Sequence, residues 1–150
     1  MIFRTEYFKL LRQFIDKEQI KVITGIRRCG KSSLLRLLKD ELLAKDKTSD
    51  QILFINFESF KFSEIQTAKA LYNFVEPKIH PEQKTYLLLD EIQNVHQWEK
   101  AVNSFKVDFD VDIYITGSNS QLLSSELASY LAGRYVEIPM FTLSFKEYLS

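Results

Sequence analysis

Two periodicities alternate along the chain. Five short runs are rich in β-branched and aromatic residues: 21–25 (KVITG), 52–58 (ILFINFE), 86–91 (YLLLDE), 112–118 (DIYITGS) and 135–139 (YVEIP). Several are apolar at consecutive positions, as strands covered on both faces are. Between them the apolar residues recur every three or four positions, the repeat of a helix with one buried face. Leu34, Leu35, Leu38 and Leu42 form one such stripe, and Trp98, Ala101, Val102 and Phe105 another. Ile65, Ala68, Leu71, Tyr72 and Val75 form a third, which a capping box at Ser63 and Gln66 is expected to open and Pro77 to stop. The stripe Leu123, Leu127, Tyr130 and Leu131 closes at Gly133, and an amphipathic segment from Thr5 to Ile15 is expected to flank the sheet.

Strand and helix in alternation, joined by mostly short connections, predict right-handed crossovers and a parallel sheet with helices on both faces. Ligands of such sheets sit at the carboxyl ends of the strands, so the chemistry is sought there. The most polar connection, residues 42–51, is the expected mobile loop.

Composition narrows the picture only a little. With 150 residues, 45% of them apolar, the chain is long enough for one ordinary core. Twenty acidic and twenty basic residues cancel, so a nucleic-acid partner would need a local patch. A single cysteine, Cys29, excludes an internal disulfide, and no Cys and His spacing suits zinc. Charges at Arg4, Glu6, Lys9 and Arg12 interrupt the amino-terminal apolar residues, and no run approaches the roughly 20 residues of a membrane span. A cytoplasmic protein without a membrane segment is the expectation.

The strand ends carry the chemistry. Gly25, Ile26, Arg27, Arg28, Cys29, Gly30, Lys31, Ser32 and Ser33 follow the first strand and run into a helix, and Gly25 to Ser32 matches GxxxxGK[ST]. A chance match in a chain of this length is about one in a few hundred. Such a loop turns its backbone N–H groups inward, and the helix adds the positive end of its dipole, which together make a bed for polyphosphate. Lys31 would reach the β- and γ-phosphates, the Ser32 hydroxyl would bind Mg²⁺, and Ser33 lies within reach of the α-phosphate. Arg27 and Arg28 are either solvated charges or extra contacts to phosphate or partner. Cys29 reads as a spacer, or as a thiol activated by the helix end.

The third β-run ends in two carboxylates, Asp90 and Glu91, an arrangement that costs free energy unless something cationic or catalytic stands there. Asp90 would hold Mg²⁺ through water and Glu91 would polarise an attacking water. Neighbours on a strand point opposite ways, so both serve one site only where the pleat relaxes. Ser118 or Asn119, at the end of the fourth run, could hydrogen-bond a γ-phosphate or the water; a helix N-cap at Asn119 or Ser120 is the alternative. Asn56 is a weaker candidate for holding Glu91 idle. Arg134 either complements the end of the preceding helix or is an arginine finger offered to a neighbouring subunit. His80 and His96 are assigned no catalytic role, Trp98 is read as a core anchor, and Phe54, Phe57, Phe60 and Phe62 are read as packing residues.

Together, GIRRCGKSS, YLLLDEIQ, ITGSNS and LAGRYVEIPMFTLSFKEYL resemble the prokaryotic AAA-superfamily ATPases whose amino-terminal P-loop domain precedes a carboxyl-terminal domain of unknown function. The resemblance implies a three-layer αβα sandwich with a parallel sheet of order 5-1-4-3-2, which sets ITGS between the cradle and the carboxylates. It implies ATP and Mg²⁺ as ligands, supports Arg134 as the finger of a homo-oligomer, and makes residues 1–150 one ATPase core. Related proteins continue into a helical lid and further domains, so this chain is expected to be a portion of a longer one. The reading that follows is an ATPase that hydrolyses ATP to ADP and phosphate as a motor or switch module. Its rivals are a regulatory switch that scarcely hydrolyses, and a DNA-associated module using Arg27, Arg28, Arg36 and Lys39.

Overall fold

The structure, a computed structural model, describes residues 2–26, 29–118 and 134–140, with side chains from Glu6 onward. Its elements in chain order are α1 (Ile2–Arg12), β1 (Ile20–Thr24), α2 (Lys31–Ala44), β2 (Ile52–Asn56), α3 (Ala68–Val75), β3 (Thr85–Asp90), α4 (Trp98–Asp108), β4 (Val111–Gly117) and β5 (Tyr135–Pro139). The strands form one sheet in the order β2-β3-β4-β1-β5, and every pairing is parallel. Read from the other edge, that is the order 5-1-4-3-2 implied by the resemblance. The expected helix over 123–131, its caps at Asn119, Ser120 and Gly133, and the FTLSFKEYL segment lie outside the described residues. Among the described residues, no helix is long and apolar enough to cross a membrane.

Alternation along the strands splits the core in two. Leu87, Leu89, Ile113 and Ile115 face α3 and α4, where Leu71, Val75, Trp98, Val102 and Phe105 are buried. Tyr86, Leu88 and Tyr114 face the other way, onto α2 with its buried Leu34, Leu35, Leu38 and Leu42, and onto Leu11 of α1. Both faces of the central strands are covered, which is why apolar residues stand on both faces of β3, and the polar residues that do occur on the central strands, Lys21, Asp112 and Thr116, are buried. Trp98 is the core anchor it was read to be.

Local differences from the expected pattern have physical causes. The Ser63 and Gln66 pair does not open α3; Gln66 Nε2 donates instead to the Ser63 carbonyl. The helix starts at Ala68, with Thr67 as N-cap accepting from the Ala70 N–H at 3.1 Å. Thr67 is held extended by a bridge to His96, whose N–H donates to the Gln66 carbonyl, so the residues before it are not free to coil. Of the four phenylalanines read as packing residues, Phe57 is buried and Phe54 and Phe62 are half-buried, but Phe60 stands 91% exposed at the tip of a short 3-10 turn. The polar connection after α2 is short, because α2 runs to Ala44 and a 3-10 turn occupies Ser49–Gln51.

The amino ends of the central strands hold a buried polar network that sequence reading missed. Lys21 of β1 is ion-paired with Asp112 of β4 and donates to the Lys17 carbonyl at 2.6 Å. Asp112 also accepts from the Tyr114 hydroxyl at 2.5 Å and from the Asp16 N–H at 2.8 Å. Asp16 in turn accepts from the Tyr86 hydroxyl at 2.7 Å. Burial pulls the Lys21 ammonium below its usual range, with Asp112 opposing the shift.

Candidate active site

Where β1 stops, the chain folds back on itself too tightly for a side chain. A Cβ on Gly25 would stand 2.6 Å from Cys29 Sγ and 2.8 Å from the Met140 carbonyl oxygen, so only glycine fits. The strand end is pinned from the other side by Met140, whose N–H donates to the Thr24 carbonyl at 2.8 Å. Gly30 has φ 104° and turns the loop into α2, whose first turn carries no side-chain cap. The 14-residue helix therefore presents free N–H groups and its positive dipole end at the loop. Cys29 is buried against Gly25, in keeping with a spacer, and Ile26 is exposed on the rim.

Lys31, the first residue of α2, is buried at the centre of this turn. Its Nζ donates to the Gly25 and Ile26 carbonyls at 2.8 and 2.9 Å and to Ser118 Oγ at 3.1 Å, and stands 3.6 Å from Glu91 Oε2. The loop is thus closed over a cation whose partners are mainly neutral oxygens.

Parity on β3 puts Asp90 on the α2 side of the sheet. Ser32 donates to its Oδ2 at 2.5 Å and Thr116 of β4 donates to its Oδ1 at 2.6 Å. Strict alternation would send Glu91 to the opposite face. Instead Glu91 takes a left-handed backbone, φ 59° and ψ 52°, which ends the pleat and brings the second carboxylate to the same site. That strained turn is held by the Glu91 N–H, which donates to Thr116 Oγ1 at 2.8 Å. The Glu91 carboxylate accepts from Ser118 Oγ at 2.8 and 3.0 Å and from Gln93 Nε2 at 2.7 Å.

Of the residues singled out in the sequence, the structure brings Gly25, Ile26, Cys29, Gly30, Lys31, Ser32, Asp90, Glu91 and Ser118 to one place. Ser33 lies half-buried in the first turn of α2. Arg27, Arg28 and Asn119 lie outside the described residues. Asn56 does not meet Glu91: its Oδ1 accepts from the Glu58 N–H at 3.0 Å and closes its own turn. Arg134 precedes β5 and is exposed, with its guanidinium 3.4 Å from Asn103 Oδ1 and its carbonyl accepting from the Ile20 N–H. It sits at the start of β1 whereas the cradle sits at its end, about 16 Å along the strand and farther than an arginine reaches. Arg36 is exposed and Lys39 half-buried on α2. Thr116 and Gln93 are the site residues the sequence reading missed. The strand order, which aligns Leu89 with Ile115, was the signal for Thr116.

The residues present suit a magnesium–triphosphate. The Ser32 hydroxyl and the Asp90 carboxylate are hard oxygen donors already in contact, and the described residues hold no cluster of three or more His, Cys, Asp or Glu that would cage a metal. Mg²⁺ is typically held this way, by one or two protein oxygens with the rest from phosphate and water. The uncapped helix end, the buried ammonium and the glycine-lined turn supply the anion's side.

Residues 17–149 match a family model described as an AAA domain. The chain is 49% identical over 150 residues to an uncharacterised protein of Haemophilus influenzae, covering 99% of this chain and 38% of the relative. An uncharacterised protein of Methanocaldococcus jannaschii is 35% identical over 131 residues, covering 87% of this chain and 28% of the relative. The chain therefore spans well under half the length of these relatives. Among solved structures, the Walker-type ATPase of Pyrococcus abyssi superposes with a TM-score of 0.61 at 18% identity, over 92% of this chain and 53% of that one.

Proposed function

As the chain belongs to the AAA domain family of P-loop ATPases, we propose that it binds ATP with Mg²⁺ in the loop 25–33 and hydrolyses it to ADP and phosphate. The observation that carries this reading is the convergence of a buried Lys31, the Ser32–Asp90 pair and the re-aimed Glu91 at the carboxyl ends of β1, β3 and β4. Lys31 moves its ammonium from the loop carbonyls to the β- and γ-phosphates. Ser32 and Asp90 would hold the metal, which when bound supplies charge neutralisation across those phosphates. Glu91 takes a proton from water as the water oxygen bonds to the γ-phosphorus and the bond from that phosphorus to the β-bridging oxygen breaks, releasing ADP. Ser118, already between Lys31 and Glu91, turns its hydroxyl to the γ-phosphate. Asn119, Arg27 and Arg28 are proposed to add contacts from the segments flanking the site.

Arg134 cannot serve its own nucleotide from the far end of β1, so its role as a finger requires a second copy of the chain. The relatives it matches are more than twice as long, and the domain is proposed to act as a motor or switch module. Single-turnover hydrolysis tests the central reading. The Glu91→Gln protein should bind ATP as the parent does and release phosphate about 10²- to 10⁴-fold more slowly. A parent that releases none within minutes would mark a switch that holds ATP, and a Glu91→Gln protein that hydrolyses at the parent rate would remove Glu91 from the chemistry.

A further inference from the structure

Among the described residues Glu91 has three side-chain partners, and they differ in what a nucleotide would do to them. Lys31 and Ser118 both lie at the phosphate cradle, and in the reading above, on which this inference rests, a triphosphate draws both away from Glu91. Gln93 is different. It belongs to the 3-10 turn Ile92–Asn94, and its Nε2 donates to Glu91 Oε1 at 2.7 Å. That turn is fastened independently of the cradle: Ile92 and Val95 are buried in the α3 and α4 core, the Val95 N–H donates to the Ile92 carbonyl at 2.9 Å, and Asn94 Nδ2 reaches the Phe57 carbonyl at 3.4 Å.

The amide's other end points to a second duty. Gln93 Oε1 is buried and accepts no hydrogen bond among the described residues. The opposite assignment of the amide would set its carbonyl oxygen against the carboxylate, so the nitrogen belongs toward Glu91. Being on the same amide, Oε1 is no more than about 5 Å from Glu91 Oε1, the span of one bridging water, for which room opens beside this buried atom only when phosphate draws Lys31 and Ser118 away. An acceptor with nothing to accept, beside a base that needs a water, suits the second hydrogen of that water.

We propose that Gln93 is the positioning residue of the hydrolytic step: it keeps Glu91 aimed when phosphate takes Lys31 and Ser118, and its free carbonyl orients the water that Glu91 deprotonates. No bond to Gln93 is made or broken in the reaction. The proton goes to Glu91, and Gln93 sets geometry alone.

Gln93→Met keeps length and loses both polar atoms. It should lower kcat about 10- to 100-fold while KM and the affinity for a non-hydrolysable ATP analogue change less than about threefold. In a Glu91→Gln background the same change should cost nothing further, because Gln93 acts through Glu91. An unchanged kcat, or a loss that multiplies with that of Glu91→Gln, overturns the proposal. If Glu91→Gln itself hydrolyses at the parent rate, the functional reading fails first, which keeps the two failures distinct. A readout independent of turnover is the side-chain amide of Gln93 in ¹⁵N spectra. It should exchange more slowly than the exposed Gln13 and Gln19 in the nucleotide-free protein, and stay slow with the analogue and Mg²⁺ bound. Exchange as fast as theirs in either state contradicts the assignment.

Discussion

Two lysines, Lys21 and Lys31, lie at opposite ends of the same strand and helix junction, both buried, at 0% and 3% exposure. Lys21 is closed off: it is paired directly with Asp112, which is itself saturated by Tyr114 and the Asp16 N–H. Lys31 is held open. Its nearest partners are two loop carbonyls and a hydroxyl, with Glu91 at 3.6 Å. A buried charge neutralised by direct contact within the fold is structural, whereas one held mainly by neutral oxygens keeps more of its Coulomb attraction for an arriving anion. The carboxyl end of the sheet is therefore built to exchange partners and the amino end is built to keep them.

The same substitution made at both positions should separate the two lysines by the widest margin. Lys21→Met leaves Asp112 charged and buried without its cation, and should cost about 3–5 kcal/mol of stability in urea unfolding. Lys31→Met removes a cation held mainly by neutral oxygens and 3.6 Å from Glu91, and should cost less, about 1–2 kcal/mol. Equal losses at the two sites would erase the distinction.

A smaller effect is expected at Thr116, where the two roles meet. Thr116→Val removes the donor to Asp90 and the acceptor for the strained Glu91 N–H, and should cost about 1–3 kcal/mol. Hydrolysis should fall with it, because the left-handed turn that aims Glu91 loses its anchor.

The smallest effect is read in alkali. Burial and Asp16 push the Tyr86 hydroxyl upward, burial and Asp112 push that of Tyr114 upward, and the bond to Asp108 raises the half-buried Tyr72 to about 12. A phenol whose folded pKa exceeds its unfolded value of 10 binds its proton more tightly in the native state. Its contribution is complete below pH 10 and is lost as pH rises beyond. Ultraviolet titration should show Tyr72 ionising near pH 12 in folded protein, and Tyr86 and Tyr114 only on unfolding. Ionisation of the latter two near pH 10 in the folded state would open the network that the structure draws closed.

How much was legible beforehand follows the same division. The cradle and the carboxylates stood out because phosphate chemistry demands particular residue types at fixed spacing, from Gly25 to Ser32 and at Asp90–Glu91. The five strands were legible through their dry cores, as in YLLLD. Residues whose role depends on a neighbour from another strand were not. Lys21 and Asp112 look like ordinary charges until β1 and β4 pair, Thr116 becomes an anchor only opposite Asp90, and Asn56 was drawn to its own turn by the nearby Glu58 N–H. Ser63 and Gln66 fit a local rule, but the bridge from Thr67 to His96, formed across the fold, outweighed it.

The central claim is that the open end of the sheet grips a triphosphate through Lys31. Calorimetric titration of the parent and Lys31→Ala proteins with ATP and Mg²⁺ tests it most directly. Saturable, one-to-one binding to the parent and none to the variant is expected; a parent that takes up no ATP, or a variant that binds as tightly, would rule out this role for Lys31.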